Sequence, residues 1–206
     1  MSLEMYLAFL GATILLLISP GPTVMLVVGY GLKHGRRTVW ATSLGAGLGD
    51  ATALTCSLLG LGAVLAASAT AFTVLKWAGA LYLIYLGVKM WRGQPGGQEG
   101  REHFKSRPLK IVGHAFAVTA LNPKSIAFFV AFLPQFLDHS APLSPQLLSM
   151  GVTFVTLAVL NAMSYGLLAG ALGQTFQRPR AKKVLDRFGG SCLIGAGLLT
   201  ASLRRG

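Results

Sequence analysis

The sequence predicts an all-α integral membrane protein with six transmembrane helices. Hydrophobic residues make up 53% of the 206-residue chain and charged residues only 12%, whereas a soluble domain carries roughly 25% charged residues. The mean hydropathy is +0.61. Six apolar runs are long enough to span, since about 20 apolar residues cross the hydrocarbon of a bilayer. The alternating pattern of a β-barrel is absent, so these runs are expected to be helices.

The six runs form two groups of three. A polar, glycine-rich segment at 92–110 divides the single transmembrane domain, 1–206, into halves of about 1–91 and 111–206. The first run is too long for a signal peptide and no basic residue precedes it, so we expect it to be retained as the first span. The runs lie at roughly 6–32, 38–66, 69–91, 111–136, 146–172 and 184–203.

Most of the positive charge flanks alternate connections between the runs. By the positive-inside rule, the side that carries it is the cytoplasm, which places both termini outside the bacterial inner membrane and the 92–110 loop inside. A net charge of +12 would suggest nucleic acid in a soluble protein, but here it predicts contact with membrane lipid and no nucleic-acid partner. Fourteen of the eighteen basic residues lie on this side: Lys33, Arg36, Arg37, Lys89, Arg92, Arg101, Lys105, Arg107, Lys110, Arg178, Arg180, Lys182, Lys183 and Arg187.

Two proline motifs interrupt the first and fourth runs, Pro20-Gly21-Pro22 and Asn122-Pro123-Lys124. Proline removes a backbone donor and clashes with the carbonyl one turn earlier, and lipid offers no partner to the backbone groups that are freed. The half-helices that follow the breaks point their positive ends at them, so with Lys124 they are candidates to bind a carboxylate. The alternative is a pair of kinks that only shape the bundle, with a lysine that snorkels to the surface.

The two halves carry matching features, which predicts a 3+3 inverted repeat with helices 1 and 4 broken. Asp50 in the second run corresponds to Asn161 in the fifth, 111 positions later, and Lys76 corresponds to Arg187 at the same spacing. Three spans in each half reverse the orientation of the second half, a plan common among secondary transporters. The alternative is chance matching between helices rich in Gly, Ala and Leu.

Asp50 is the acidic residue that lies deep inside a predicted span, and such a residue is a functional candidate. It is a candidate to accept a substrate ammonium, to carry a coupling proton, or both. Burial favours the neutral acid and a nearby lysine favours the charged form. The alternative is a structural ion pair with Lys124 or Lys76. The candidate substrate site comprises Pro20, Gly21, Pro22, Gly49, Asp50, Asn122, Pro123 and Lys124, with Asp50 for proton coupling and Lys76 and Asn161 as further candidates.

The sequence shows no enzyme or metal signature. Cys56 and Cys192 lie in apolar runs and the four histidines are scattered, so neither a cofactor nor a metal is expected. No catalytic constellation lies in the spans. A channel or a membrane assembly protein stays as an alternative, although a pore would show repeated polar rings. Small residues at Gly166 and Gly170 permit close helix packing inside one subunit or in a homo-oligomer.

Six strings along the chain form a pattern that is shared with a known family. They are Ser19-Pro20-Gly21-Pro22, Gly45-x-x-x-Gly49-Asp50, Lys76-Trp77-x-Gly79-x-x-Tyr82-Leu83-x-Tyr85-Leu86-Gly87, Leu121-Asn122-Pro123-Lys124, Phe128-Phe129 and Phe132-Leu133-Pro134-Gln135-Phe136. By these strings the chain resembles the LysE/RhtB family of amino-acid exporters (the lysine exporter superfamily) over nearly its whole length. This resemblance implies export of amino acids or close derivatives from the bacterial cytoplasm, driven by proton antiport. It does not choose among substrates such as lysine, arginine, threonine, homoserine, its lactone, leucine or cysteine derivatives.

Overall fold

The computed structural model describes residues 1–19, 21–92, 107–138, 140–176 and 179–202. Within these ranges nearly every residue is helical and no strand is present, which confirms the all-α prediction. Pro20, most of the loop at 92–110, and the basic residues Arg101, Lys105, Arg178, Arg204 and Arg205 lie outside the described residues. The α-helices are α1 (Leu3–Ile18), α2 (Pro22–His34), α3 (Val39–Ala67), α4 (Ala69–Trp91), α5 (Pro108–Ala120), α6 (Pro123–Ala127), α7 (Leu143–Phe176) and α8 (Pro179–Ser202).

Both predicted breaks are present. α1 and the helical run that begins at Pro22 meet at an angle of 51°, and α5 and α6 are separated by Leu121 and Asn122. Prolines Pro22 and Pro123 stand at the first position of α2 and α6, where a helix needs no N–H and the fixed φ of proline is favourable. The sequence therefore places the two interruptions correctly, because proline chemistry determines them locally.

A π-helical turn at Phe128–Phe132 and a 3-10 turn at Leu133–Phe136 continue the chain after α6. The sequence analysis does not predict either irregularity. Their phenylalanines pack with α1 and α7, and the rings of Phe129 and Phe154 meet edge to face with centroids 4.7 Å apart, a favourable arrangement for aromatic pairs. This cluster forms the larger core beside the breaks; its phenylalanines are Phe9, Phe128, Phe129, Phe132, Phe136 and Phe154.

Glycines let the helices of the two halves approach closely. α4 and α8 run antiparallel, and a Cβ atom added to Gly87 would lie 2.6 Å from the carbonyl oxygen of Gly190. Trp91 closes one end of this pair, where its indole donates a hydrogen bond of 3.1 Å to Ser191 and its ring lies under the Arg187 guanidinium. The α4–α8 interface therefore depends on close backbone contact at its glycines and on the contacts of Trp91 at one end.

The second predicted span of each half, α3 or α7, packs against helices of the other half. α3 runs parallel to α5, which its buried Gly45 and Gly49 contact, and antiparallel to α7. α7 in turn runs parallel to α1, and Tyr6 and Thr153 of these helices form a hydrogen bond of 2.7 Å. The two halves are thus interleaved, and residues distant in sequence meet at the breaks.

Three stretches of the described chain bear on the number of spans. Pro108–Phe136 and Leu143–Ala169 are each long and apolar enough to cross a membrane, and the bent pair Leu3–Ile18 and Pro22–Gly60 adds a third if it is one span. The six apolar runs do coincide with helices or broken helices. The count of six spans stays a prediction.

Candidate functional site

A small cavity of about 30 Å³ lies where the two breaks meet. It has room for a water molecule or two. Charged and amide side chains border it inside an otherwise apolar bundle, and they come from helices of both halves. The lining residues are Leu16, Leu17, Gly21, Thr23, Asp50, Asn122, Lys124, Ser125, Ala158, Asn161 and Ala162.

Side chains from the second half satisfy the carbonyl groups at the end of α1. The ammonium of Lys124 donates to the carbonyl oxygen of Leu16 at 2.8 Å and to that of Ser19. Asn161 donates to the carbonyl oxygen of Leu17 at 3.0 Å, and Tyr165 donates to that of Ile18 at 2.7 Å. A helix end leaves four such carbonyls without an intrahelical partner. Here other helices supply the partners, so the break in α1 is held from outside.

The break between α5 and α6 is instead satisfied locally. The N–H groups of Leu121 and Asn122 bond to the carbonyls of Ala117 and Thr119 at 3.1 and 3.0 Å. The Asn122 side chain then caps α6 by accepting from the N–H of Lys124 at 3.1 Å. The two breaks therefore differ. The free carbonyls at the end of α1 accept hydrogen bonds from side chains of the second half, whereas the break between α5 and α6 is satisfied by residues next to it in the sequence.

The N-terminal end of α2 forms the opposite wall. Gly21 is its N-cap and offers no side-chain cap, so the positive end of this helix faces the break. Thr23 in its first turn contacts the second half, with its hydroxyl 3.1 Å from the Thr119 hydroxyl and 3.3 Å from the Asn122 amide nitrogen. The cavity thus lies between the negative end of α1 and the positive end of α2, a polarity suited to a zwitterion.

Asp50 reaches the cavity from the middle of α3. Its side chain is only 4% exposed and lies beside Ser125 and Lys124. Its Oδ1 atom has no hydrogen-bond partner among the described residues. Within the same residues, no ion pair within 4 Å joins Asp50 to Lys124. A buried carboxylate oxygen without a partner is costly, so Asp50 stays a candidate to meet a ligand or a proton.

Nine of the ten predicted site residues lie in the described part of the chain, and five of these nine border the cavity. Gly21, Asp50, Asn122, Lys124 and Asn161 border the cavity. Three other predicted residues do not line it: Pro22 starts α2, Pro123 is exposed, and Gly49 packs against α5. Lys76 of α4 is also not among the lining residues.

Sequence reasoning missed Thr23, Ser125 and Tyr165, which all contribute at or beside the breaks. Thr23 and Ser125 each follow a break motif by one residue, which is a usable signal because side chains in the first turn after a break face it. Tyr165 lies one helical turn after Asn161 in α7. Residues four apart share a helix face, so Tyr165 could have been predicted from its spacing to Asn161.

The fold and the site together define the class of protein: an α-helical integral membrane protein with a buried polar site at broken helices. The profile of the LysE type translocator family matches residues 14–203, so the chain belongs to this family, as its sequence motifs indicate. The protein is therefore a membrane transporter and not an enzyme.

Several curated relatives extend over almost the whole chain. An uncharacterized membrane protein of Vibrio cholerae is 33% identical over 99% of this chain and 100% of its own length. The homoserine/homoserine lactone efflux protein of Salmonella typhi is 33% identical over 99% of both chains. The leucine efflux protein of Klebsiella pneumoniae is 29% identical over 92% of this chain and 89% of its own. No solved structure matches.

Proposed function

We propose that the protein exports amino acids or close derivatives from the bacterial cytoplasm across the inner membrane. The observation that carries this proposal is the convergence of Asp50, Lys124, Asn122 and Asn161 on one buried cavity at the two breaks. Ionisable residues inside a membrane domain are expensive and mark substrate or proton pathways. The relatives named for homoserine, homoserine lactone and leucine efflux support the same substrate class.

An amino acid carries one charge of each sign, and the cavity offers an environment for each. The α2 end supplies a positive helix terminus and the Thr23 hydroxyl, which suit a carboxylate. The α1 end and Asp50 supply negative potential, which suits an ammonium. The cavity of about 30 Å³ is too small for an amino acid, so the bundle has to open before substrate enters.

Proton antiport is the coupling that we propose, with Asp50 as the proton carrier. Its buried position supports this role, and so does the Oδ1 atom, which lacks a hydrogen-bond partner among the residues that the structure describes. A carboxylic acid that exchanges its proton for substrate couples the inward movement of protons to the outward movement of the amino acid. The counter-transported ion enters through Asp50 and amino acid leaves through the same cavity.

We also propose a six-span, 3+3 inverted repeat with both termini outside. The packing supports it: α3 lies parallel to α5, and its counterpart α7 lies parallel to α1. The pair formed by the third helices of the two halves, α4 and α8, is antiparallel, as an axis in the membrane plane requires. Repeats related in this way commonly place the substrate site at their interface.

Export of a panel of amino acids from loaded cells tests the function. Homoserine, threonine, leucine and lysine are the first members, with an empty-vector strain as control. We expect accelerated loss of at least one of them, and counterflow of that amino acid in proteoliposomes. Counterflow separates a carrier from a channel, since only a carrier exchanges labelled for unlabelled substrate against a gradient. Export of no amino acid, or leakage without counterflow, would contradict the proposal.

A further inference from the structure

The ammonium of Lys124 occupies a group of backbone carbonyls, which we call the α1 carbonyl cluster and define as the carbonyls of Leu16 and Ser19. The lysine side chain is only 6% exposed and donates to both oxygens. These oxygens lie at the C-terminal end of α1, where the helix dipole adds negative potential. The cluster is therefore a cation site built from backbone, and a primary ammonium already fills it.

We propose that the α1 carbonyl cluster is the subsite for the ammonium of the transported amino acid, and that Lys124 fills it as a tethered cation which the substrate displaces. This inference rests on the proposed export of amino acids. The ammonium of a lysine and that of an amino acid are both compact groups with N–H donors and no acceptor. A carbonyl cluster that holds one fits the other.

The neighbouring carbonyls are already committed to other partners. Asn161 holds the carbonyl of Leu17 and Tyr165 holds that of Ile18. Both donors belong to α7, so they hold the end of α1 in place while Lys124 dissociates and binds again. In the exchange, the Leu16 and Ser19 oxygens change their cation.

The cavity also provides a place for the displaced lysine. Asp50 borders the same cavity as Lys124, and its Oδ1 atom lacks a partner in the described part of the chain. After displacement the substrate ammonium binds the carbonyl cluster and Lys124 binds Asp50. Lys124 thereby exchanges two backbone acceptors for a carboxylate, and the substrate ammonium takes its place at the carbonyl oxygens. This arrangement differs from the direct pairing of Lys124 with a substrate carboxylate that the sequence suggests.

Chemical rescue of Lys124→Ala tests the subsite directly. The probe is n-propylammonium, which reproduces the atoms from Cγ to Nζ that the substitution removes. We expect it to raise the Tm of the purified variant in detergent with increasing concentration, by about 2–4 °C for each kcal/mol of binding. Wild-type protein, in which the tethered lysine competes with the probe, and Lys33→Ala, which alters an exposed lysine of α2, serve as controls and should respond much less than Lys124→Ala. Tetramethylammonium, which has no N–H donor, should also have no effect.

A rise in Tm that is equal in all three proteins would overturn the inference, as would rescue by tetramethylammonium or no rescue of Lys124→Ala. Because this probe is not a substrate, the result does not depend on which amino acid is exported. Failure of every amino acid in the export panel would refute the proposed function without affecting the rescue experiment.

Lys124→Arg provides a second test that keeps the positive charge. A guanidinium has more donors in a fixed plane than an ammonium, so it should be harder to displace. We expect a KM for the exported amino acid at least several-fold above wild type, with an unchanged Tm. If Lys124 instead binds the substrate carboxylate, arginine should bind as well or better because it pairs with carboxylates in a bidentate manner. An unchanged or lower KM would therefore contradict the inference.

Discussion

The contact between α3 and α5 gives a quantitative test of how the site is positioned. Gly49 precedes Asp50, and a Cβ atom placed on it would lie 2.8 Å from the Phe116 carbonyl oxygen and 2.8 Å from the Thr119 Cβ. Ordinary contact begins near 3.4 Å, so Gly49→Ala requires the two helices to separate by about 0.6 Å. Overpacking of this kind costs about 1–3 kcal/mol.

Gly113→Ala is the matched control, because Gly113 lies in α5 and a Cβ there meets nothing within 4 Å. Both substitutions gain the same helix propensity, up to about 1 kcal/mol, so the difference between them isolates the steric cost. We expect Gly49→Ala to melt below Gly113→Ala by about 2–4 °C for each kcal/mol of that cost.

The same displacement should reduce transport, because α5 leads directly into Asn122 and carries Thr119, which meets Thr23. The assays are detergent melting temperature and amino-acid counterflow of both variants. Equal Tm values and equal transport for the two variants would refute the argument that the α3–α5 contact positions the cavity.

Three further outcomes are expected. Asp50→Asn should fold but lose pH-gradient-driven accumulation in inverted vesicles, and coupled transport at the wild-type level would remove Asp50 from the mechanism. A cysteine at Gln98 should resist impermeant reagents added outside intact cells, because the distribution of basic residues predicts a cytoplasmic loop there, and ready labelling would reverse the predicted topology. Two hydrogen bonds from Ser140 hold the pKa of Asp138 below its usual value, so their stabilisation is present above about pH 4 and is lost as the pH falls through the folded-state pKa. Ser140→Ala should therefore melt below wild type at pH 7, and the two Tm values should converge in acid; a gap that persists there would contradict this account.

The positions of the helices and breaks could be predicted because local chemistry determines them. Apolar length identified the helices, and the prolines at Pro22 and Pro123 marked the two starts. The π-helical turn at Phe128–Phe132 could not be predicted, since it depends on how adjacent aromatic side chains fit against α1 and α7. Such a fit is a property of the packed bundle and leaves no periodic signal in the sequence.

The cavity contains several residues that the sequence singled out, but the contacts of Lys124 were not anticipated. Asp50, Lys124 and Asn161 do meet at one cavity. The sequence suggested acidic partners for Lys124, whereas its ammonium contacts the carbonyls of α1. A helix break frees backbone carbonyls, and these compete with carboxylates for a buried cation. Residue types do not reveal such acceptors, because every residue has a backbone carbonyl. Counting freed carbonyls at each predicted break would have raised this possibility.

Protection of a single cavity cysteine by substrate tests the central claim, that amino acids pass through the cavity at the two breaks. The protein would carry Ala162→Cys, at a lining position, with Cys56 and Cys192 replaced. The control is Ser144→Cys, whose native side chain is exposed in the first turn of α7. We predict that the exported amino acid slows reaction of a small methanethiosulfonate reagent at position 162 and not at position 144, and that the reaction at 162 stops counterflow. Undiminished labelling at 162 in the presence of saturating substrate, with counterflow intact after modification, would contradict the account.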